Sequence, residues 1–215
     1  VQGLIFDITE RKQQEEELRE ANERIQEQNR LLARLARTDA LTGLLNRRAM
    51  QEQLERELRL STRGRGPFSV LLLDLDHFKS INDRYGHRAG DRVLVHLAET
   101  LSHQLRASDV QSRWGGEEFM VLFTGTPVDA AQPVAEKLRQ WFAGHPTVVD
   151  EAEITVTFTG GLVEAIPGDT VDSVFARADK ALYEGKSAGR DRIVAVQPHA
   201  SDPEPDGSGA SSEEA

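Results

Sequence analysis

The sequence predicts an α+β fold: a mixed or partly antiparallel sheet with helices, fed by a long N-terminal helix. Three observations carry this. Helix-like and strand-like stretches alternate through the middle of the chain. Two of the strand-like stretches meet at a Gly-Gly bend in Arg113-Trp-Gly-Gly-Glu-Glu-Phe119, so they form a hairpin and not a crossover. From Glu10 to Arg37 there is no Gly or Pro, and Glu, Arg, Gln and Leu dominate, as in a long helix.

Taken in order, residues 1–8 read as the end of a strand. Asp7-Ile-Thr-Glu10 then has the form of a capping box and starts a helix. Within the linker at 9–37, Leu18, Ala21, Ile25, Gln28, Leu32 and Leu35 follow the 3-4-3-4-3 spacing of a coiled-coil seam. A second seam, Leu18, Asn22, Ile25, Asn29, Leu32 and Ala36, overlaps it. A dimeric helix whose register can shift is expected, weighed against a plain solvated connecting helix. The main domain is expected over 38–197. Its elements read helix 46–60, strand 68–74, helix 78–84, helix 90–105, strand 109–114, strand 118–124, helix 129–143, strand 153–163, helix 171–186 and strand 191–196. The strand at 68–74 is a near-continuous apolar run and should be buried on both faces. Residues 198–215 are acidic, nearly free of apolar residues, and expected to be disordered.

Composition narrows the function. The chain has 215 residues, of which 38% are apolar, enough for one core of ordinary size. It has no cysteine, which excludes disulfides and thiolate metal sites. No apolar run is long enough to cross a membrane. The chain starts on Val1 and not Met, so it is expected to be part of a longer protein, with any membrane attachment upstream. Net charge is −10. The segment 197–215 supplies five acids and no Lys or Arg, leaving −5 on the remainder. That balance disfavours a nucleic-acid polymer as partner but permits a single nucleotide held by local cations and a metal.

The candidate chemistry starts where the buried strand ends. Asp74 and Asp76 lie on one strand face by period-two alternation, at a sheet edge. A neighbouring 110–123 hairpin would bring Glu117 or Glu118 to Asp74. Converging carboxylates suit Mg²⁺, which takes one or two of them plus phosphate oxygens. Gly115 and Gly116 leave room for a phosphate-bearing ligand at the bend. Strand alternation turns Glu118 away from Glu117 and ranks it second. Asn82 and Asp91 offer an amide and a carboxylate suited to a guanine edge. Lys186 and Arg190, four apart at a helix end, suit a phosphate clamp, weighed against simple favourable interaction with the helix C-terminus.

Together these residues resemble the GGDEF family of diguanylate cyclases, in the variant spelled Gly115-Gly-Glu-Glu-Phe119. The resemblance covers about 160 residues in family order. It takes in Asp39-Ala-Leu-Thr-Gly-Leu-Leu-Asn-Arg47, Asp74-Leu-Asp-His-Phe-Lys79, Ile81-Asn-Asp83, Gly86-His87, Gly90-Asp91, and Asp179, Tyr183, Lys186, Gly189 and Arg190. The first residues, with Asp7-Ile-Thr-Glu-Arg-Lys12, resemble the exit of a PAS sensor domain. The resemblance implies a five-stranded, mostly antiparallel sheet wrapped by helices, like the palm of polymerases and class III cyclases. It implies a bacterial, cytoplasmic enzyme that joins two GTP into cyclic di-GMP and releases two pyrophosphates, working as a homodimer with facing active sites. By the same resemblance, Asp74, Glu117 and the Leu75 carbonyl ligate Mg²⁺, with Mn²⁺ the alternative. Glu117 also helps deprotonate the attacking hydroxyl, and Glu118 is its partner acid. Phe78, Asn82, His87 and Asp91 line the nucleotide. Lys79, Lys186 and Arg190 hold phosphates, Lys79 being best placed to stabilise transition-state charge.

Arg106-Ala-Ser-Asp109 resembles the family's R-x-x-D product-inhibition site, where cyclic di-GMP binds. By spacing alone, it would be a surface ion pair. Two departures stand out. The pattern Thr-x-Ser-x-Gly is replaced by Thr157-Phe-Thr-Gly-Gly161, where Gly160 suggests a bulge. Gly185 replaces the more usual Ala and is expected to loosen its helix end. The alternative function is a catalytically inactive module that binds GTP or cyclic di-GMP and signals by contact. The retained acids and guanine readers argue for the enzyme, and Asp91 argues for guanine over adenine.

Overall fold

The computed structural model describes residues 12–16, 18–26, 28, 32, 37–62, 64 and 66–197. The chain divides at Arg37 into two units, each described by itself. In the first, the described residues from Lys12 to Leu32 are helical. Leu18, Ile25 and Leu32 of the predicted seam are well exposed, at 64%, 53% and 63%. Short-range pairs such as Glu16–Arg19 (2.8 Å) and Glu20–Arg24 (3.2 Å) run along this segment. The predicted strand end at 1–8, seam residue Leu35 and the tail at 198–215 lie outside the described residues.

In the second unit the elements are β1 (Leu45–Asn46), α1 (Arg47–Ser61), β2 (Ser69–Leu75), α2 (Phe78–Tyr85), α3 (His87–Gln104), β3 (Val110–Gly115), β4 (Glu118–Phe123), α4 (Val128–Gly144), β5 (Thr147–Val149), β6 (Ala152–Ile154), β7 (Phe158–Glu164), α5 (Val171–Ser187) and β8 (Ile193–Val196). Among the described residues, six strands form the main sheet in the order β1-β3-β4-β2-β7-β8. The inner pairs are antiparallel, and the outermost pairs, β1 with β3 and β7 with β8, are parallel. The α+β class holds. The count exceeds the expected five because two-residue β1 adds an edge.

Every residue of β2 is buried. Alternation splits its side chains between two cores. Leu71, Leu73 and Leu75 join Val93, Leu97, Leu138 and Phe142, under α2, α3 and α4. Val70 and Leu72 join Met50, Leu54, Val174 and Leu182, under α1 and α5. Each buried Leu contributes about 1.5–3 kcal/mol, so β2 is the most strongly held strand of the sheet. Asn46 caps α1 by accepting from the Ala49 N–H at 3.0 Å, and Thr170 and Ser173 form a reciprocal capping box on α5.

Three local expectations change. The predicted strand at 153–163 is two strands, β6 and β7, separated by residues 155–157, and β5 pairs with β6 as a small separate hairpin. Gly160 makes no bulge: it pairs in register with Leu73, and a Cβ there would fall 2.7 Å from Leu71 Cδ1. The register shift lies instead at Trp114 in β3. Its indole is stacked on Phe175 at 5.2 Å, with the Arg47 guanidinium 4.8 Å from the ring centroid.

Candidate active site

The site lies at the end of β2 on the α5 side of the sheet. Asp74 has the same parity as Val70 and Leu72, which puts its side chain toward α5. Directly opposite in the register is Glu118, on β4. Glu118 shares parity with Met120 and Leu122 of the same core, so the two carboxylates share a face. Lys186, near the end of α5, reaches this face and sets its Nζ 3.0 Å from Asp74 Oδ1. Glu117 occupies the turn itself, and its carbonyl accepts from the Leu75 N–H at 3.3 Å. The turn depends on Gly116, whose φ of +53° favours glycine. A Cβ on Gly115 or Gly116 would meet nothing within 4 Å, so the space before the bend is open.

The electrostatics follow from this crowding. Burial pushes the Asp74 carboxyl above its usual range, Glu117 and Asp76 add to the rise, and Lys186 opposes it. Burial also raises Glu118, helped by Asp74, Asp179 and Glu117 and again opposed by Lys186. One ammonium faces several acids. The two motif glutamates take different positions. Alternation separates neighbours within a strand, but Glu117 is in a turn, and Glu118 is the residue opposite Asp74. The donor set fits a hard divalent cation. Among the described residues no three His, Cys, Asp or Glu side chains form a ready cage. Mg²⁺ does not need one, because it fills its shell with water and phosphate oxygens.

The other predicted residues are spread over the two helices that follow β2. Asn82 is half-buried near the end of α2. It touches the start of α3 so closely that a Cβ on Gly90 would fall 2.0 Å from its Oδ1. A Cβ there would displace the Asn82 amide, which lies against Gly90 in the first turn of α3. Asp91 is exposed and borders a groove of about 630 Å³ with Tyr85, Arg88 and Val148. Lys79 and His87 are exposed. The Phe78 ring is buried in the core, 3.1 Å from where a Gly90 Cβ would be, so it supports the helix pair from below. Arg190 follows α5 in a left-handed conformation, φ +64°.

Arg106 and Asp109 stand apart, at the end of α3. Their backbones and the Asp109 carboxylate close a turn: the Arg106 N–H donates to Asp109 Oδ2 at 3.2 Å, and the Asp109 N–H donates to the Arg106 carbonyl at 2.9 Å. Burial raises the Asp109 carboxyl, opposed by the Arg106 and Thr124 backbone. Both residues line a cavity of about 460 Å³, with Phe123, Pro127, Val134 and Lys137.

Two features escaped the sequence. Arg113 pairs with both Asp39 oxygens at 3.3 Å and donates to the Gly116 carbonyl at 2.9 Å, tying the opening turn of the domain to the Gly-Gly bend. Asp76 lies near enough to raise the Asp74 carboxyl, but its own oxygens accept from the Thr157 and Thr159 hydroxyls. No periodicity signals either contact, since both join residues distant in sequence.

The profile of the family described as "Diguanylate cyclase, GGDEF domain" matches residues 36–192. The diguanylate cyclase DgcP of Pseudomonas aeruginosa is 43% identical over 158 residues, which cover 74% of this chain and 24% of that protein. The chain therefore spans about a quarter of that relative's length. Among solved structures, the diguanylate cyclase SiaD in complex with its activator SiaC, from Pseudomonas aeruginosa, is 35% identical with a TM-score of 0.73, covering 90% of this chain and 76% of that one. The GGDEF domain of DgcB from Caulobacter crescentus, in complex with c-di-GMP, is 32% identical with a TM-score of 0.71, covering 74% of this chain and 95% of that one.

Proposed function

The chain belongs to the GGDEF family of diguanylate cyclases, and from that premise we propose that it joins two GTP into cyclic di-GMP, releasing two pyrophosphates. The observation that carries this is the Asp74–Glu118 pair on one face, bridged to α5 by Lys186 beside an open glycine turn. In each half-reaction a 3′-oxygen forms a bond to the α-phosphorus of the other GTP. The bond from that phosphorus to pyrophosphate breaks, and the hydroxyl proton must leave. Glu117, at the bend, is the acceptor for that proton. Lys186 exchanges part of its hold on Asp74 for the phosphates, joined by Lys79 and Arg190. Asn82 and Asp91 read the guanine, with His87 alongside. Asp74, Glu117 and the Leu75 carbonyl would hold Mg²⁺ or Mn²⁺, with Glu118 next to them, and the bound cation would neutralise charge on the reacting phosphate. Most of the catalysis is positioning and charge stabilisation.

Each domain holds one GTP, so two copies must meet with sites facing. The exposed seam at Leu18, Ile25 and Leu32 is suited to pairing them. Arg106 and Asp109 would bind the product and lock the pair unproductively.

The test is direct. The purified chain is incubated with GTP and Mg²⁺, and the nucleotides are separated by chromatography. Cyclic di-GMP and pyrophosphate are expected. Glu117→Gln should lower turnover by at least about 100-fold, the scale of losing one acid–base group, with an unchanged circular dichroism spectrum. A fully active Glu117→Gln variant would sink the assignment. Nucleotide binding without product would favour the inactive module.

A further inference from the structure

We propose that Asp76 is a positioning residue, a brace that fixes the 188–191 loop after α5, and with it the phosphate-binding cations Lys186 and Arg190, relative to the acid cluster. The identity of the nucleotide rests on the cyclase reading above. Alternation alone makes Asp76 look like a second metal ligand beside Asp74. The geometry points elsewhere. Asp76 is 5% exposed, and three donors converge on it: the Thr157 hydroxyl at 2.6 Å, the Thr159 hydroxyl at 2.7 Å and the Asp191 N–H at 3.1 Å. Its own N–H donates to the Thr157 carbonyl at 2.9 Å. One carboxylate thus joins the end of β2, the start of β7 and the segment leading into β8. A carboxylate engaged this way is set as a structural acceptor.

The segment it holds needs holding. Gly189, Arg190 and Asp191 have successive φ values of +112°, +64° and +47°. Two of these are non-glycine residues in the left-handed region, a conformation that persists only where surroundings impose it. The surroundings are identifiable. Asp191 gives its N–H to Asp76 and its carboxylate to Arg139 of α4. The Arg190 N–H donates to the Gly185 carbonyl at 3.1 Å, and the Gly160 N–H to the Arg192 carbonyl at 2.9 Å. Lys186, in the last turn of α5 before this loop, contacts Asp74 at 3.0 Å. Releasing Asp76 would let residues 189–191 relax and carry Arg190 and Lys186 out of register.

Asp76→Ala removes the brace. Asp76→Asn is the conservative substitution, because an amide keeps one acceptor and a threonine hydroxyl can turn to accept from its NH₂. In the full chain with Mg²⁺, calorimetry with a non-hydrolysable GTP analogue reads triphosphate binding, and competition by GMP reads base and ribose binding. Asp76→Ala is expected to weaken the GTP analogue about tenfold, about 1.4 kcal/mol, leaving GMP within about twofold on the same scale. KM for GTP should rise in step and kcat fall less. Asp76→Asn should recover most of the lost affinity. Equal losses for GTP analogue and GMP, or an Asn variant as damaged as Ala, would overturn the brace, the latter pointing to a metal ligand. Should Asp76→Ala not fold, Thr157→Val removes one donor and is expected to show the same selective loss, smaller in size; no loss overturns the proposal. These binding measurements do not depend on turnover. A wild-type chain that binds the analogue but makes no cyclic di-GMP would defeat the cyclase reading alone.

Discussion

Lys186 faces Asp74 as its ion-pair partner, with Glu117, Glu118 and Asp179 nearby. At the residue scale this imbalance of negative charge around the buried Asp74 carboxyl is the chemistry of the site. A second residue shows the same physics with opposite sign. His96 on α3 shares a hydrogen bond of 2.8 Å with the Thr147 hydroxyl and packs on Phe142 and Trp141. Burial lowers its basicity, His145 and Arg92 lower it further, and Glu99 opposes them. A histidine depressed in the folded state takes its proton more readily once unfolded. Its contribution to stability is present above the unfolded value of 6.5 and is lost as pH falls through the folded value. The thermal midpoint should therefore drop on acidification below pH 6.5, and His96→Gln should flatten that branch. An unaltered acid branch in the variant would refute the assignment. Asp74 was legible in the sequence because acids ending an apolar run must emerge at a sheet edge. The pairing of Glu118 with Asp74 was not, because register across strands is set by tertiary contacts.

At the scale of elements, α5 meets β7 through two reciprocal shapes. Gly185 is buried, and a Cβ there would fall 2.7 Å from Thr159 Cγ2. The glycine that was expected to loosen the helix end instead makes space for the threonine methyl, and α5 continues through it to Ser187. Gly185→Ala should destabilise by about 1–3 kcal/mol through overpacking, despite better helix propensity. Thr159→Ser removes the obstructing methyl while keeping the hydroxyl for Asp76. The double variant should be more stable than the sum of the singles by at least about 1 kcal/mol, a coupling of ordinary size for residues in contact. Additive effects in chemical denaturation would show that the contact is not felt. The periodic helices and β2 were legible because burial imposes a repeat on them. β5 and the gap between β6 and β7 were not, since three-residue strands carry too little pattern.

For the whole molecule, the reaction proposed above needs two chains that each carry net negative charge and bring anionic substrate. Metal and salt should therefore favour encounter. The product that results has a candidate resting place in the cavity beside Arg106 and Asp109, away from the acid cluster. Arg106→Ala should raise the final yield of cyclic di-GMP and weaken product binding at least tenfold, about 1.4 kcal/mol, with the initial rate unchanged. Progress curves with and without added product would check this, and undiminished inhibition in the variant would refute it. The chain divides at Arg37, where in the sequence a Gly- and Pro-free charged stretch gives way to a turn-rich, more apolar one.

The borders of the sheet matter for such an enzyme. On one side the sheet ends in the two residues of β1, and on the other in the four of β8. Both outermost strands are too short to template a long foreign ladder. Two copies brought together at high local concentration therefore find little reward in zipping edge to edge. For the pairing proposed above, crowding would raise the frequency of face-to-face meetings without feeding fibrils, so an enzyme of that kind would be spared the usual hazard of company.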